Sequence, residues 1–208
     1  MWNSLVKNSP APLLWVISGP SGSGKTTICK EFLRRKQSNI VRSVSFTTRA
    51  RRKGEKNAHD YFFVSPDEFS RRLRRGEFLE WQGIFDNLYA TSRRFVYDAF
   101  RRGKDVLLCI DVKGALTIKQ KFSRRAVFIF IIPPSEKALM QRIKKRARES
   151  SAEIKKRLRR AKTELSFAKK YDYIIVNDTI KDAVNSLKSI IKAKRLENVL
   201  HTRRKTNR

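Results

Sequence analysis

The chain is short of acid. Its 208 residues include 19 Asp and Glu against 49 Lys and Arg, a formal net charge of +30. It is also short of cysteine: Cys29 and Cys109 stand alone, each inside an apolar segment. Two such residues exclude a disulfide-stapled secreted fold. They read as small buried hydrophobes of a reducing compartment, here the cytoplasm. Histidine is limited to His59 and His201, and no Cys/His cluster has zinc-binding spacing. No apolar run approaches the roughly 20 residues that cross a bilayer, so no membrane partner is expected. Hydrophobic residues still make up 40% of the chain, which excludes a disordered protein and allows a large core. The length suits one domain with small inserted lobes.

Glycines are few, but Gly19, Gly22 and Gly24 stand together in Gly19-Pro20-Ser21-Gly22-Ser23-Gly24-Lys25-Thr26. This is the phosphate-binding pattern G-x-x-x-x-G-K-[ST]. The apolar run 13–17 before it suits a buried parallel strand, and residues 27–33 after it alternate at helical spacing. Strand, glycine loop and helix start would bring the backbone N–H groups of residues 22–27, Thr27 included, onto one point. A polyphosphate there meets unpaired donors and the positive end of a helix dipole. Lys25 would reach the outer phosphates, and the Thr26 hydroxyl would hold Mg²⁺. The pattern therefore implies a nucleoside triphosphate. Residues 1–12 lead directly into this strand; a cleavable leader would destroy the loop, so none is expected.

Strand-like runs then alternate with amphipathic helices, which indicates an α/β fold. Residues 40–46 read as a strand and 47–60 as a polar, basic loop. Ser65-Pro66-Asp67-Glu68 combines a capping box with Pro at the first helical position, and that helix stops at Gly76. Segments 77–84 and 88–90 look like short strands around a turn at Asp86-Asn87. Region 47–91 thus lacks βα alternation and reads as an inserted, strand-rich lobe. Thr91 or Ser92 caps the next helix. Strands follow at 106–110, 126–132 and 173–176, and helices at 113–122, from Ser135 to about 147, from Ser150 to about 168, and from Thr179. A basic tail is expected from 193, disordered over 201–208. Ligands of such sheets sit beyond the carboxyl ends of the strands, where the phosphate loop, Ser45, Asp111 and Pro133 all fall.

Around that crevice the sequence collects Ser45, Arg49, Arg52, Glu55, Asp60, Tyr61, Glu80, Tyr89, Thr91 and Asp111. Together with the "SVS-TTR-R-GE-DYFFVS" stretch, "GEFLEW", the "N-YAT" turn, "IDVKGA", "PPS" and "VND", these residues resemble the guanylate kinase family. The likeness runs over about residues 13–192. It implies a P-loop parallel sheet flanked by helices (13–46 and 92–192), an inserted GMP-binding lobe (47–91) and a helical lid (142–160). The implied reaction is ATP + GMP → ADP + GDP with Mg²⁺, with dGMP as a further acceptor. Carried over residue by residue, Arg49, Arg52, Tyr61 and Tyr89 clamp the GMP phosphate. Ser45, Glu80, Thr91 and Asp111 read guanine. Arg146 and Arg157 come from the lid onto the transferring group, and Asn177 sits near adenine.

The residue chemistry agrees. Carboxylates accept from guanine N1–H and N2–H₂, and a serine hydroxyl donates to O6; adenine lacks the N1–H. An arginine fork suits phosphate better than lysine does. No base is required, because the GMP phosphate is already an oxyanion. The chain departs from the family at Cys109, where Asp or Glu is usual, and at Arg51, Leu88, Ala90 and Ala147-Arg148. A thiol orders Mg²⁺ waters poorly unless its pKa is lowered. Two nucleotides need only a handful of cations, so the remaining charge suits nonspecific association with nucleic acid or other polyanions. The alternative reading is a catalytically weakened relative that binds such polyanions. Aromatics are not interleaved with the basic clusters as a single-strand platform requires.

Overall fold

The computed structural model describes residues 11–34, 39–122, 124–146 and 151–206; the side chains of 145, 146, 151–153 and 198–208 lie outside that description. The first elements are β1 (Leu14–Ser18), α1 (Lys25–Arg34), β2 (Ile40–Arg42), β3 (Phe46–Thr47), β4 (Phe62–Phe63), α2 (Pro66–Arg74), β5 (Phe78–Ile84) and β6 (Asn87–Ser92). They are followed by α3 (Arg93–Arg101), β7 (Asp105–Cys109), α4 (Val112–Phe122), β8 (Ala126–Ile132), α5 (Glu136–Arg146), α6 (Ser151–Leu165), β9 (Tyr173–Val176) and α7 (Ile180–Thr206).

One sheet is parallel, in the order β2-β7-β1-β8-β9. Central β1 is buried along its whole length. Its side chains alternate between two cores, as strand geometry dictates. Trp15 and Ile17 meet Ile28 and Phe32 of α1 and Leu187 of α7. Leu14 and Val16 meet Val96 of α3 and Ile118 of α4. Helices thus cover both faces, and this explains why the strands read as continuous apolar runs rather than as alternating ones. Asp105 ties the strand starts together: it accepts from Leu13 N at 3.0 Å and from the buried Trp15 Nε1 at 2.8 Å.

The second sheet has the order β4-β3-β6-β5 and packs Phe78 and Ala90 against Phe69 of α2. Ser65 caps α2 as expected: its hydroxyl accepts from Glu68 N, with Pro66 in the first turn. Ser92, rather than Thr91, caps α3 by accepting from Phe95 N. Helices α5 and α6 pack on each other through Leu139, Ile143 and Ala161.

Four expectations change. The strand expected at 40–46 is two strands in two sheets, because the chain leaves β7 after Ser43, whose N donates to Leu107 O, and joins β6 from Phe46. The hairpin turn is Phe85-Asp86, one residue earlier than expected, with φ of +42° and +52°. Pro133 faces away from the crevice into a separate cleft with Leu139, Leu158 and Leu165. The backbone is helical to Thr206, where a loose basic tail was expected, and Arg195 grips Asp105 through Nε at 3.1 Å and Nη2 at 3.0 Å. Residues 1–10 and the turn at Ala147-Arg148 lie outside the described residues, as do the caps expected at Ser150 and the side chains of 201–208.

Candidate active site

Between the carboxyl ends of β1 and β7, the second sheet and α6 lies one crevice. Its first wall is the glycine loop. A Cβ on Gly19 (φ +143°) would lie 2.2 Å from Ile131 O, and one on Gly24 (φ +93°) would lie 2.1 Å from Asn177 Nδ2. Only glycine fits either place. Lys25 Nζ donates to Gly19 O at 2.6 Å and to Pro20 O at 2.9 Å, so the ammonium is held over the loop at the amino end of α1. Ser21, Gly22 and Gly24 line the same wall, while Ser23 is buried behind it. Thr26 and Thr27 are exposed and border a shallow depression with Lys30 and Arg34.

Asn177 lies directly behind the glycine loop. It is 1% exposed, and its Nδ2 donates to Ser23 O at 2.7 Å. The residue supports the loop from beneath. Arg142 Nη2 in turn donates to Asn177 O at 3.0 Å.

The opposite wall carries two carboxylates. Glu80, on β5, is 5% exposed and accepts from Thr91 Oγ1 at 2.6 Å. Asp111, just beyond β7, accepts from Gly114 N at 2.8 Å. A Cβ on Gly114 would lie 2.5 Å from Glu80 Oε2 and 3.0 Å from Asp111 Oδ1, so both carboxylates converge there. Burial raises the Glu80 pKa to about 7, against the Thr91 bond and with help from Asp111. Burial also raises Asp111, opposed by the Gly114 amide and Arg160. Thr91 is fully buried, so it acts on the crevice through Glu80. Ser45 lines the crevice directly.

Tyr61 and Tyr89 also line it, edge to face with ring centroids 5.9 Å apart. Burial, with Cys109 and Tyr89 nearby, pushes the Tyr61 hydroxyl up to about 12, so it remains a donor. The Arg49 guanidinium lies 5.6 Å from the Tyr61 ring centroid. It donates from Nη2 to Glu55 Oε1 at 2.8 Å and Oε2 at 3.0 Å, a partner not foreseen from the sequence. The Arg52 side chain is exposed; its backbone N donates to Glu55 Oε2 at 2.8 Å. Glu55 therefore holds the Arg49 side chain and the Arg52 backbone. Asp60, expected in the same polar set, instead pairs with Lys30 at 2.6 Å.

The third wall is α6. Arg157 and Arg160 lie 5.3 and 5.2 Å from the Phe85 ring centroid at the hairpin tip. Arg146 ends α5, and its side chain lies outside the described ones. Gln82, Phe85, Arg160 and Glu164 line the crevice without having been singled out from the sequence. The Arg160–Glu164 spacing of four on a helix was the one signal that could have found a pair among them. Cys109 is half-buried beside the loop, and both cysteines are free thiols. A hydrogen bond from Cys29 holds the Cys109 thiol below its ordinary value; burial opposes this, and Lys25, Arg42 and Thr26 reinforce it. Among the described residues no helix is long and apolar enough to cross a membrane, and no three His, Cys, Asp or Glu side chains converge as a metal cage.

A protein-family model for guanylate kinase matches residues 12–194. The chain is 50% identical over 182 residues to a guanylate kinase of Thermotoga maritima, covering 88% of this chain and 87% of that one. It is 46% identical over 183 residues to a guanylate kinase of Caldanaerobacter subterraneus subsp. tengcongensis, covering 88% of each. Among solved structures it resembles a guanylate kinase from Anaplasma phagocytophilum, with a TM-score of 0.75 and 36% identity over 90% of this chain and 88% of that one.

Proposed function

The chain belongs to the guanylate kinase family, and we propose that the crevice between its two sheets is the active site. The activity is ATP:GMP phosphotransfer: the γ-phosphoryl group of ATP passes to GMP, giving ADP and GDP. The observation that carries the site is the opposition, across one crevice, of Lys25 on the glycine loop and the converging Glu80 and Asp111.

On the donor side, the loop amides and the amino end of α1 hold the ATP phosphates, and Lys25 neutralises charge on the outer ones. Asn177 acts through the loop it supports. Mg²⁺ takes oxygen ligands and is content with one or two from protein when phosphates and water supply the rest. The exposed Thr26 hydroxyl fits that demand; the Cys109 sulfur does not. Bound there, Mg²⁺ would neutralise charge on the β- and γ-phosphates.

On the acceptor side, Glu80 and Asp111 accept from guanine N1–H and N2–H₂, and Ser45 donates to O6. Thr91 aims Glu80. Arg49, Arg52, Tyr61 and Tyr89 clamp the phosphate, with Glu55 holding the Arg49 side chain. A GMP phosphate oxygen attacks the γ-phosphorus as the bond to the ADP oxygen breaks, and Arg146 and Arg157 offset the charge in transit. Region 47–91 is the GMP lobe and 142–160 the lid. dGMP lacks only a ribose hydroxyl that none of these groups is assigned to read, so it is accepted too.

The compartment is cytoplasmic, where free thiols persist. The +30 charge, far more than two nucleotides need, adds weak, salt-sensitive association with nucleic acid or other polyanions. A weakened, purely polyanion-binding relative gains no support from the comparisons. A coupled assay of ADP release with ATP, Mg²⁺ and GMP or AMP tests the reading: turnover with GMP and little with AMP is expected.

A further inference from the structure

Three carboxylates share the base side of the crevice: Glu80, Asp111 and Glu164. Arg160 of α6 touches two of them. Its Nε donates to Glu164 Oε1 at 2.7 Å and its Nη2 to Asp111 Oδ2 at 3.3 Å. The same guanidinium lies 5.2 Å from the centroid of Phe85, with Arg157 at 5.3 Å and Lys156 at 5.7 Å around the same ring. Phe85 has a φ of +42°, a region bulky side chains rarely adopt. A glycine or asparagine would suit that hairpin turn better on local grounds. A strained aromatic kept against three cations indicates that the contact itself matters.

We propose that Arg160 is a positioning residue for GMP, joining α6 to the guanine pocket through Asp111 and Phe85. This rests on the reading of the crevice as the GMP site. An arginine fork can hold two carboxylates and stack at once, which a lysine ammonium cannot do. Arg160 also compensates the charge that Asp111 must keep in order to accept from guanine N–H groups. The other groups facing Asp111 are Glu164 on α6, Lys25 on α1, Glu80 on β5 and the Tyr171 hydroxyl before β9; Lys121 of α4 faces Glu80. Removing Arg160 leaves the carboxylates with one cation fewer. Asp111 then takes up a proton at higher pH. A protonated carboxyl is a donor, which suits adenine N1 and not guanine N1–H, so base selectivity relaxes as the medium becomes more acidic.

The test compares wild type with Arg160→Gln and Arg160→Lys in steady-state kinetics over pH, with GMP, AMP and ATP varied separately. Arg160→Gln is expected to raise KM for GMP roughly tenfold, the scale of one hydrogen bond to a charged group. KM for ATP should stay within about twofold, because the donor wall is untouched. The acid limb of kcat/KM for GMP should move to higher pH, and the GMP:AMP ratio should fall. Arg160→Lys should restore the acid limb but only part of the KM. An unmoved acid limb in Arg160→Gln overturns the proposal, whether KM is unchanged or KM for both nucleotides rises together with a lower Tm. Absence of GMP turnover in the wild type would instead overturn the active-site reading.

Discussion

Glu80→Gln is expected to make the protein more stable and nearly inactive at once. Glu80 is 5% exposed, and its pKa stands at about 7 rather than 4.5. A tenfold change in proton affinity corresponds to about 1.4 kcal/mol, so ionised Glu80 costs the fold about 3 kcal/mol above neutrality. The raised native value means that the folded state holds the proton more tightly. Stability from this group is therefore fully present below the unfolded pKa of 4.5 and is lost as pH rises through about 7. Gln keeps the acceptor for Thr91 and carries no charge. The variant should gain about 2–3 kcal/mol at pH 8, or roughly 5–10 °C in Tm for a chain of this size. The gain should shrink toward zero as pH approaches 4.5. Meanwhile an amide NH₂ turned toward guanine donors should lower kcat/KM for GMP roughly 10³-fold. Thermal melts of both proteins between pH 5 and 8, beside the coupled assay, check both halves. A variant that melts at or below wild type at pH 8, or a gap that is equally wide at pH 5, would refute the burial argument.

Two further outcomes follow from the same contacts. Cys109→Asp places a carboxylate near Thr26 and Lys25; with Mg²⁺ held at Thr26 as proposed, it would order metal-bound water and should raise kcat about tenfold, the scale of one charge-assisted hydrogen bond, whereas an unchanged kcat at saturating Mg²⁺ would mean that Cys109 only packs. Asp105→Ala strips partners from Leu13 N, Trp15 Nε1 and Arg195 together and should cost about 3 kcal/mol or more by denaturant melts, with faster amide exchange at the end of α7; a loss below about 1 kcal/mol would show that Asp105 contributes only as a surface pair does.

Much of the fold and the site was legible in the order of residues. The glycine loop stood out because strand, turn and helix start each leave a local mark, and Ser65-Pro66 marked α2 for the same reason. What escaped notice depends on contacts far apart in sequence. Nothing local shows that Ser43 ends one sheet and Phe46 begins another, since the break is made by pairing with Leu107 and Ala90. The turn slipped by a residue because Asp-Asn is the better turn pair, yet Phe85 occupies the left-handed position. Pro133 and Asn177 lie at strand ends as expected, but α5 and α6 draw Pro133 into their own cleft, and Ser23 draws Asn177 beneath the loop. A helical end rich in Lys and Arg looks unanchored until Arg195 is seen bonded to Asp105, 90 residues away.

The central proposal is that Lys25 and the Glu80–Asp111 pair serve one phosphotransfer between ATP and GMP, and the other roles assigned to the site depend on it. The most direct measurement is GMP-dependent ADP release by the purified protein with Mg-ATP, set against Lys25→Ala. Turnover should require GMP, be weak with AMP, and fall by a factor of about 100 or more in the variant. GMP-dependent release no greater than that of Lys25→Ala would contradict it.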